Sequence, residues 1–174
     1  AVFKNSGKEA GASIVHTHSQ IVAINFVPPF IKEKLDAIIH YNFCPYCRII
    51  ESEKNSYRRC YENQHWVAFA PYASQYHYEI WVLPKKHIST MDELNDDELS
   101  SLSKIMKQIL VKLKSINAPY NYYLHYYPRK DFHFMIEVTP RLAVWAGFEE
   151  DTGIVINSLS PEDAAKFYRG EQDE

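Results

Sequence analysis

The chain has 174 residues, of which 46% are hydrophobic and 14% aromatic, which is enough apolar material for one globular domain with a sizeable core. Its 19 Lys and Arg against 22 Asp and Glu give a formal net charge of -3, which argues against a general binder of nucleic acid or membrane surfaces. No run of about 18 apolar residues and no secretory leader are found. We therefore expect a cytoplasmic protein.

The first predicted elements are a loop and strands. Residues 5–13 contain glycine and serine in a turn-like pattern, and a β-branched run over residues 14–27 follows, so we expect a glycine loop and then strands. Pro28-Pro29 ends this run, and apolar residues at helical spacing then predict a short helix that ends near Tyr41. The charged residues 51–59 carry little apolar content, which predicts an exposed connector.

A long helix is the clearest element of the second half. Asn95 and Glu98 form a capping box, and apolar side chains then follow on one stripe as far as Ile116. Such a helix must cover a sheet. The other predicted elements are strands over residues 66–70, 76–84, 120–127 and 132–138, a helix over 160–170, and a frayed tail after it. This pattern predicts an α+β fold of antiparallel strands packed by one long helix and short helices.

Two histidines and a glutamine alternate after the glycine loop. On a strand, His16, His18 and Gln20 would share one face. A neutral imidazole can attack phosphorus, while Gln20, Ser13 and loop N–H groups can donate to the phosphate oxygens. The alternative is the polar face of an edge strand with ordinary histidines.

A pair of cysteines predicts either a metal or a redox site. Cys44 and Cys47 stand in a Cys-Pro-Tyr-Cys turn, and His87 and His133 follow at predicted strand ends, a set that suits tetrahedral Zn²⁺ with no open position. The alternatives are a redox pair, disfavoured because no helix is predicted to begin at Cys44, and two buried thiols with unrelated histidines. With Cys60 the cysteines are odd in number, which favours reduced thiols over disulfides. The spacing leaves four competing histidines: His40, His65, His77 and His125.

A turn-rich segment follows the last predicted strand. Glu149 beside Gly147 and Asn157 beyond Gly153 offer a carboxylate and a carboxamide that could bind sugar hydroxyls. Capping and turn residues explain the same pattern, and on the residues alone this second interpretation is favoured. The tyrosine-rich strand at 120–127 is attributed to sheet packing, since base-stacking platforms usually lie in basic grooves.

The pattern Asn5-x-Gly7-x-x-x-Gly11-x-Ser13-x-x-His16-x-His18-x-Gln20 resembles, at the same spacing throughout, the active-site segment of the galactose-1-phosphate uridylyltransferases, a branch of the histidine-triad superfamily. Residues 84–87, the surroundings of His133, and residues 147–166 resemble the second half of the same enzymes. The likeness runs from about Phe3 to Arg169. It is closest to the zinc-containing members that include ADP-glucose phosphorylase.

The resemblance implies a fold of two histidine-triad-like half-barrels in tandem. Residues 1–28 would be the end of a first repeat, and residues 29–174 would be a second domain with a zinc site. An upstream half would then be missing from this chain. The resemblance also implies a homodimer.

The resemblance implies a nucleotidyltransferase that moves a nucleotidyl group between a UDP-hexose and a hexose-1-phosphate through a covalent nucleotidyl-histidine. Its expected partners are therefore a nucleotide sugar and a sugar phosphate, with no nucleic acid and no membrane. His18 would be the nucleophile. Gln20 and Ser13 would hold the phosphate oxygens, and Asn5 and Gly11 would shape the loop.

Two zinc sites are implied in the same way. His16 would be a ligand of a first site whose other ligands lie upstream. Cys44, Cys47, His87 and His133 would form the second site, complete within this chain.

Some positions depart from the family pattern. Thr17 and Ser19 stand where many of the transferases have Pro and Gly, and Glu137 and Thr139 stand where some members have a His-x-His iron site, so no iron is expected. Glu149 would contact hexose hydroxyls. The alternatives are an ADP-glucose phosphorylase, a histidine-triad hydrolase, and an inactive zinc-stabilised binding or dimerisation module.

Overall fold

The computed structural model describes residues 1–14 and 16–171; Val15, in the predicted strand run, and residues 172–174, in the predicted tail, lie outside the described residues. The strands are β1 (Val2–Ser6), β2 (Ser19–Ile21), β3 (Arg59–Glu62), β4 (Trp66–Phe69), β5 (Ile80–Pro84), β6 (Tyr120–His125) and β7 (Met135–Pro140). The helices are α1 (Pro29–Ile38), α2 (Pro45–Glu53), α3 (Asp96–Ser115), α4 (Gly147–Thr152) and α5 (Pro161–Arg169), with short 3₁₀ turns at Lys8–Ala10 and Met91–Glu93. None of the helices in these ranges is both long and apolar enough to cross a membrane.

The strands form one open sheet in the order β2-β1-β6-β7-β5-β4-β3. Every pairing between strands of the described residues is antiparallel. β2 and β3 are the two edges. An open antiparallel sheet with one long and several short helices confirms the predicted α+β fold class.

The predicted long helix is confirmed as α3 and covers one face of the sheet. The Asn95 side chain accepts the Glu98 N–H at 2.9 Å, and Glu98 Oε2 accepts the Asn95 N–H at 2.9 Å, which forms the expected capping box. Trp66 of β4 is fully buried beneath the helix, and its Nε1 donates to the Glu98 carbonyl at 2.9 Å. α5 completes this layer, whose other large buried members are Ile105, Ile109, Leu113, Phe134 and Tyr168.

The opposite face of the sheet is covered by α1 and α2. Because neighbouring residues of a strand point to opposite faces, β4, β5 and β7 bury side chains on this side as well. Those that pack against the two helices are Val67, Phe69, Leu83 and Met135. Farther along the same face, β6 and β1 line a cavity.

The strands predicted over residues 14–27 are largely absent from the described part of that run. Only Ser19–Ile21 pair, and they pair with β1 alone, because an edge strand has a single neighbour to supply ladder hydrogen bonds. Apolar side chains there remain exposed, including Ile21 at 82% and Phe26 at 63%. The sequence also failed to predict β1, since Lys4 and Asn5 are poor strand formers.

The connector expected over residues 51–59 is only partly exposed. The segment begins as the end of α2 and leads into β3, and Glu53 is 6% exposed. Arg58 Nε and Nη2 donate to the Glu53 carboxylate at 3.2 and 2.7 Å, while Nη1 donates to Glu162 of α5 at 3.0 Å. Two of the charges that suggested exposure, Glu53 and Arg58, therefore join Glu162 in a partly buried network that ties α2 to α5.

Replacing Arg58 with Met should lower the free energy of unfolding by about 3 kcal/mol, because the Glu53 carboxylate would stay buried without its cation. Urea unfolding followed by tryptophan fluorescence measures this loss. The control is Arg59→Met, whose side chain is 43% exposed and pairs with Glu62; it should cost less than about 1 kcal/mol. Equal losses in the two variants would contradict the buried network.

Candidate active site and metal centre

His18 lies directly before β2, with both ring nitrogens engaged. Nδ1 is 2.9 Å from the His16 carbonyl oxygen, and Nε2 is 3.2 Å from the Gln20 amide nitrogen. A carbonyl only accepts hydrogen bonds, so Nδ1 carries the proton and Nε2 accepts from the Gln20 amide. Nε2 is therefore the atom with a lone pair able to act as a nucleophile.

The sequence predicted that His16, His18 and Gln20 share one strand face, but only Gln20 lies within a strand. β2 begins at Ser19, so His16 and His18 precede the strand, and His16 is exposed. Gln20 lies within β2 opposite Phe3 of β1. The pairing of β2 with β1 fixes Gln20, and its contact with His18 brings the two side chains together.

The glycine loop beside β2 depends on two left-handed glycines. The 3₁₀ turn Lys8–Ala10 ends at Gly11, whose φ is 77°, a conformation that favours glycine. Gly7 has a φ of 92° and lies so close to Pro119 that a Cβ atom would stand 2.6 Å from the proline Cβ. Ser13 is exposed in the turn that follows.

Asn121 of β6 holds the glycine loop in place. Its Nδ2 donates to Asn5 Oδ1 and to the Ala10 carbonyl, both at 2.8 Å. Its Oδ1 accepts from Arg141 Nε at 2.7 Å. Asn5 and the loop are thus fixed by the sheet, and no sequence signal singled out Asn121 for this role.

Four side chains far apart in sequence form a compact group. The ligand atoms of Cys44, Cys47, His87 and His133 all lie within 4.8 Å of one another. Cys47 Sγ is 3.4 Å from His87 Nδ1 and 3.5 Å from His133 Nδ1, and Cys44 Sγ is 3.6 Å from His133 Nδ1. A tetrahedral zinc ion with ordinary bond lengths places sulfur and nitrogen ligands about 3.6 Å apart. This group could therefore bind a metal.

The outer contacts of the two histidines suit metal binding. His133 Nε2 donates to the Pro84 carbonyl at 3.0 Å, and His87 Nε2 donates to the Lys130 carbonyl at 2.8 Å. These bonds place the proton on Nε2 and leave both Nδ1 atoms free to ligate. Burial lowers the pKa of His133 to about 4, so its imidazole is neutral at pH 7.

The cysteine pair lies at a helix start, which the sequence pattern did not predict. Cys44 is the N-cap of α2, and Pro45 occupies its first turn, a position that proline favours. Burial and the neighbouring Cys44 raise the pKa of Cys47 to about 12. The two imidazoles beside the thiols favour a metal site over a redox pair.

The other predicted residues lie apart from this group. Glu149 is in the first turn of α4, where its Oε2 accepts the Ala146 N–H at 3.1 Å. Asn157 Nδ2 donates to the carbonyls of Ser74 and Tyr76 at 3.0 and 3.3 Å. Both side chains thus have the capping and turn roles that were favoured on the residues alone.

The competing histidines have other surroundings. His65 pairs with Asp97 at 2.8 Å, and His77 contacts the Ser158 hydroxyl at 3.0 Å. His40 is exposed, and His125 is buried at the cavity of the sheet. None of the four belongs to the Cys44 group within the described residues.

A second polar cluster lines a cavity of about 1000 Å³ on the face that α1 and α2 partly cover. Tyr123 Oη donates to Glu137 Oε1 at 2.7 Å, and His125 Nε2 lies 3.4 Å from Glu137 Oε2. Trp81 stands opposite Glu137 in the adjacent strand. The sequence predicted only sheet packing for the tyrosine-rich strand and did not predict this cluster. The signal for it was the spacing of Tyr123 and His125, which are two residues apart and therefore share one face of the strand.

Burial sets the protonation states in this cluster. It raises the pKa of Glu79 to about 7, with a further contribution from Glu137, although Trp81 Nε1 donates to Glu79 Oε1 at 2.9 Å. Burial also lowers the pKa of His125 to about 3 and lowers the pKa of Lys34. His125 is therefore neutral at pH 7, and its buried Nδ1 has no hydrogen-bond partner among the described residues.

Curated relatives match almost the whole chain. ADP-glucose phosphorylase from Arabidopsis thaliana is 38% identical over 97% of this chain and 50% of that protein. Galactose-1-phosphate uridylyltransferase from Thermotoga maritima is 33% identical over 97% of this chain and 58% of that protein. These matches confirm the resemblance found in the sequence. The chain spans about half the length of the curated relatives it matches.

Solved structures agree with the curated relatives. A crystal structure of Arabidopsis thaliana ADP-glucose phosphorylase with bound ADP-glucose has a TM-score of 0.87 and 34% identity, covering 98% of this chain and 58% of that one. A structure titled uridylyltransferase has a TM-score of 0.89 and 31% identity, covering 97% and 59%. A zinc-bound histidine-triad protein from Mycobacterium smegmatis, with a TM-score of 0.53 and 16% identity over 73% of this chain and 91% of that one, shares the fold.

The family model with the description "Domain of unknown function (DUF4921)" matches residues 1–167. The chain therefore belongs to that family and is related to the galactose-1-phosphate uridylyltransferases and ADP-glucose phosphorylase.

Proposed function

We propose that the protein is a nucleotidyltransferase that moves a nucleotidyl group from a nucleotide sugar to a phosphate acceptor through a covalent intermediate on His18. The observation that carries this proposal is the bonding of His18, whose Nδ1–H donates to the His16 carbonyl at 2.9 Å and leaves Nε2 with a lone pair. The names of the relatives support the same class of reaction.

In the first step, His18 Nε2 attacks the α-phosphorus of the nucleotide sugar. A nitrogen–phosphorus bond forms, the bond from that phosphorus to the bridging oxygen breaks, and its electron pair leaves with the sugar-1-phosphate. The Gln20 amide, now 3.2 Å from Nε2, would turn to a phosphate oxygen as Nε2 becomes bonded. The hydroxyl of Ser13 and N–H groups of the loop around Gly11 would donate to the remaining oxygens.

In the second step, a phosphate oxygen of the acceptor attacks the same phosphorus and the electron pair of the nitrogen–phosphorus bond returns to Nε2. Splitting one exchange into two displacements lets a single site serve both substrates, because only the group beyond the attacking oxygen differs. Asn5, fixed by Asn121 at 2.8 Å, would keep the loop in the same position for both steps. Glu149 would contact hexose hydroxyls.

Two substrate pairs fit this chemistry. A UDP-hexose with a hexose-1-phosphate is the pair implied by the uridylyltransferase relatives. ADP-glucose with inorganic phosphate is the second candidate, and the 38% identity to ADP-glucose phosphorylase favours it. The two differ in the base and in the acceptor, so a test with both nucleotide sugars separates them.

The metal proposed for the Cys44 group is zinc. Two thiolates and two imidazoles complete a tetrahedral set and leave no position for a substrate, so the ion would have a structural role. It would join the start of α2 to His87 beyond β5 and to His133 before β7. His16 is proposed as a ligand of a separate zinc site.

We further propose a homodimer in which residues 1–28 end one histidine-triad-like repeat and residues 29–174 form a second domain. The exposed apolar side chains around α4 support a covering partner, with Val144 at 94% and Ile154 at 60% exposure. The pairing of β1 with β6 supports a sheet shared by both repeats.

Replacing His18 with Asn in the full-length protein should abolish the covalent adduct and lower turnover by at least about a thousandfold, because the nucleophile is lost. Intact mass spectrometry after brief incubation with UDP-glucose and with ADP-glucose, followed by peptide mapping, detects one uridylyl or adenylyl group and identifies the base. The matched control is His40→Asn, an exposed histidine, which should keep the adduct. Near-normal turnover in His18→Asn would exclude His18 as the nucleophile.

The same experiment tests the alternative functions. Binding of a nucleotide sugar by the folded wild type without any adduct would favour a binding module. Release of free UMP or AMP without dependence on a phosphate acceptor would favour a hydrolase.

Replacing Cys44 with Ser should remove most of the bound zinc and lower the free energy of unfolding by several kcal/mol, since a structural site contributes directly to folding. Metal analysis of the purified protein and thermal unfolding with and without a chelator measure both effects. Cys60→Ala is the control, because Cys60 is a buried thiol of the opposite core and its loss should leave the zinc content unchanged. Unchanged stability and metal content in Cys44→Ser would refute the site.

A further inference from the structure

We propose that the cavity lined by Lys34, Trp81, Tyr123, His125 and Glu137 binds a neutral monosaccharide ring. This cavity has a volume of about 1000 Å³, which exceeds what one such ring requires. The proposal does not depend on nucleotidyl transfer at His18.

The floor of the cavity is one row of the sheet. Glu137 of β7 stands opposite Trp81 of β5 on one side and Tyr123 of β6 on the other. Tyr123 is followed across the sheet by Phe3 of β1 and then by Gln20 of β2. Residues directly opposite in paired strands share a face, so the cavity and Gln20 lie on the same face of the sheet.

Lys34 supplies hydrogen-bond donors whose one acceptor among the described residues is the weak acceptor sulfur of Met135. Its ammonium lies 5.3 Å from the centre of the Trp81 ring and 3.9 Å from the sulfur of Met135. Among residues 1–14 and 16–171, no carboxylate lies within 4.0 Å of Lys34 Nζ. A largely buried ammonium without an oxygen partner is costly. Hydroxyl oxygens of a ligand would accept its N–H bonds.

Glu137 supplies an acceptor on the same floor, beside His125. Tyr123 Oη donates to Glu137 Oε1 at 2.7 Å, which holds the carboxylate in place and leaves further lone pairs. His125 is 7% exposed and its Nδ1 has no partner in the described part of the chain. The free lone pairs of the Glu137 carboxylate can accept a hydrogen bond from a ligand hydroxyl, whereas His125 Nδ1 is buried beneath the cavity surface.

This mixture of groups selects a neutral ligand with hydroxyls. An anion would meet Glu137 and the nearby Glu79, and a cation would meet Lys34. Each hydroxyl of a sugar both donates and accepts, so one ring can satisfy Lys34 and Glu137 together. The aromatic wall of Trp81 suits the apolar C–H face of such a ring.

The cavity is distinct from the hexose contact proposed at Glu149, as the residues at its rim show. Tyr76 and Trp145 stack there with ring centres 5.5 Å apart, and the Arg141 guanidinium lies 4.4 Å from the Tyr76 ring centre. All three line the cavity, whereas Glu149 does not.

The test is titration of the full-length protein with D-glucose, D-galactose and their 1-phosphates, followed by saturation-transfer NMR and by the fluorescence of the tryptophans. We expect saturable binding of at least one of the two free hexoses, with a dissociation constant on the order of 1 to 10 mM. Equal constants for a hexose and its 1-phosphate would support the neutral ring as the ligand; binding of the 1-phosphates alone would contradict it. UDP, which has no hexose, should not compete.

Lys34→Met and Glu137→Gln should each weaken this binding at least tenfold. The control for the first is Lys32→Met, an exposed position on the same helix, and for the second Glu150→Gln, an exposed position on α4. Both controls should bind as wild type. Lys34→Met should also keep the nucleotidyl adduct, and His18→Asn should keep the sugar affinity, so that failure of one proposal is distinguished from failure of the other.

Three results would overturn the proposal. The first is no saturable binding of either free hexose by the folded wild type. The second is unchanged affinity in both cavity variants when circular dichroism shows that they are folded. The third is loss of the affinity in Glu149→Gln, which would place the sugar at α4. If Glu137→Gln fails to fold, Trp81→Phe replaces it, and its expected loss is at least threefold.

Discussion

The two-residue alternation of β-strands is the constraint on which the rest of this structure depends. β4, β5 and β7 are buried on both faces, so consecutive residues such as Val67 and Ala68 enter different cores. α3 and α5 pack on one face, whereas α1 and α2 cover only part of the other. The metal-binding group, the cavity and Gln20 all lie on or beside that second face. The Cys44 group is at one end, the charged cavity is in the middle, and Gln20 is at the far edge.

The metal-binding group belongs to the same arrangement. His133 precedes β7 and His87 follows β5, two adjacent antiparallel strands, so the end of one and the start of the other lie side by side. The cysteines come from the first turn of α2, which packs against that end of the face. The group thus needs no long loop to assemble, and the carbonyls of Pro84 and Lys130 fix the two imidazoles.

Local signals in the sequence predicted the elements whose stabilising contacts are local. The capping box of Asn95 and Glu98 and the Ser160 cap of α5 each lie within a few residues. The burial of Glu53 was missed because a run of charged residues suggests exposure, although Arg58, which pairs with Glu53, also reaches Glu162 of α5. The two histidines of the metal-binding group could be predicted only from the family resemblance, because the spacing of the residues left several histidines as equal candidates. The cavity was missed because Lys34, Glu79 and Glu137 meet only when three distant segments fold together.

The contact of Gly7 with Pro119 has a consequence for how this protein can vary. Pro119 follows the last turn of α3, so the glycine loop rests on the point where a helix of 20 residues ends. Each residue inserted in a helix advances its end by about 1.5 Å and rotates it by about 100°. A change in the length of α3 would therefore move the support beneath the loop. Insertions and deletions in this helix are constrained by the geometry of a site to which it contributes no side chain.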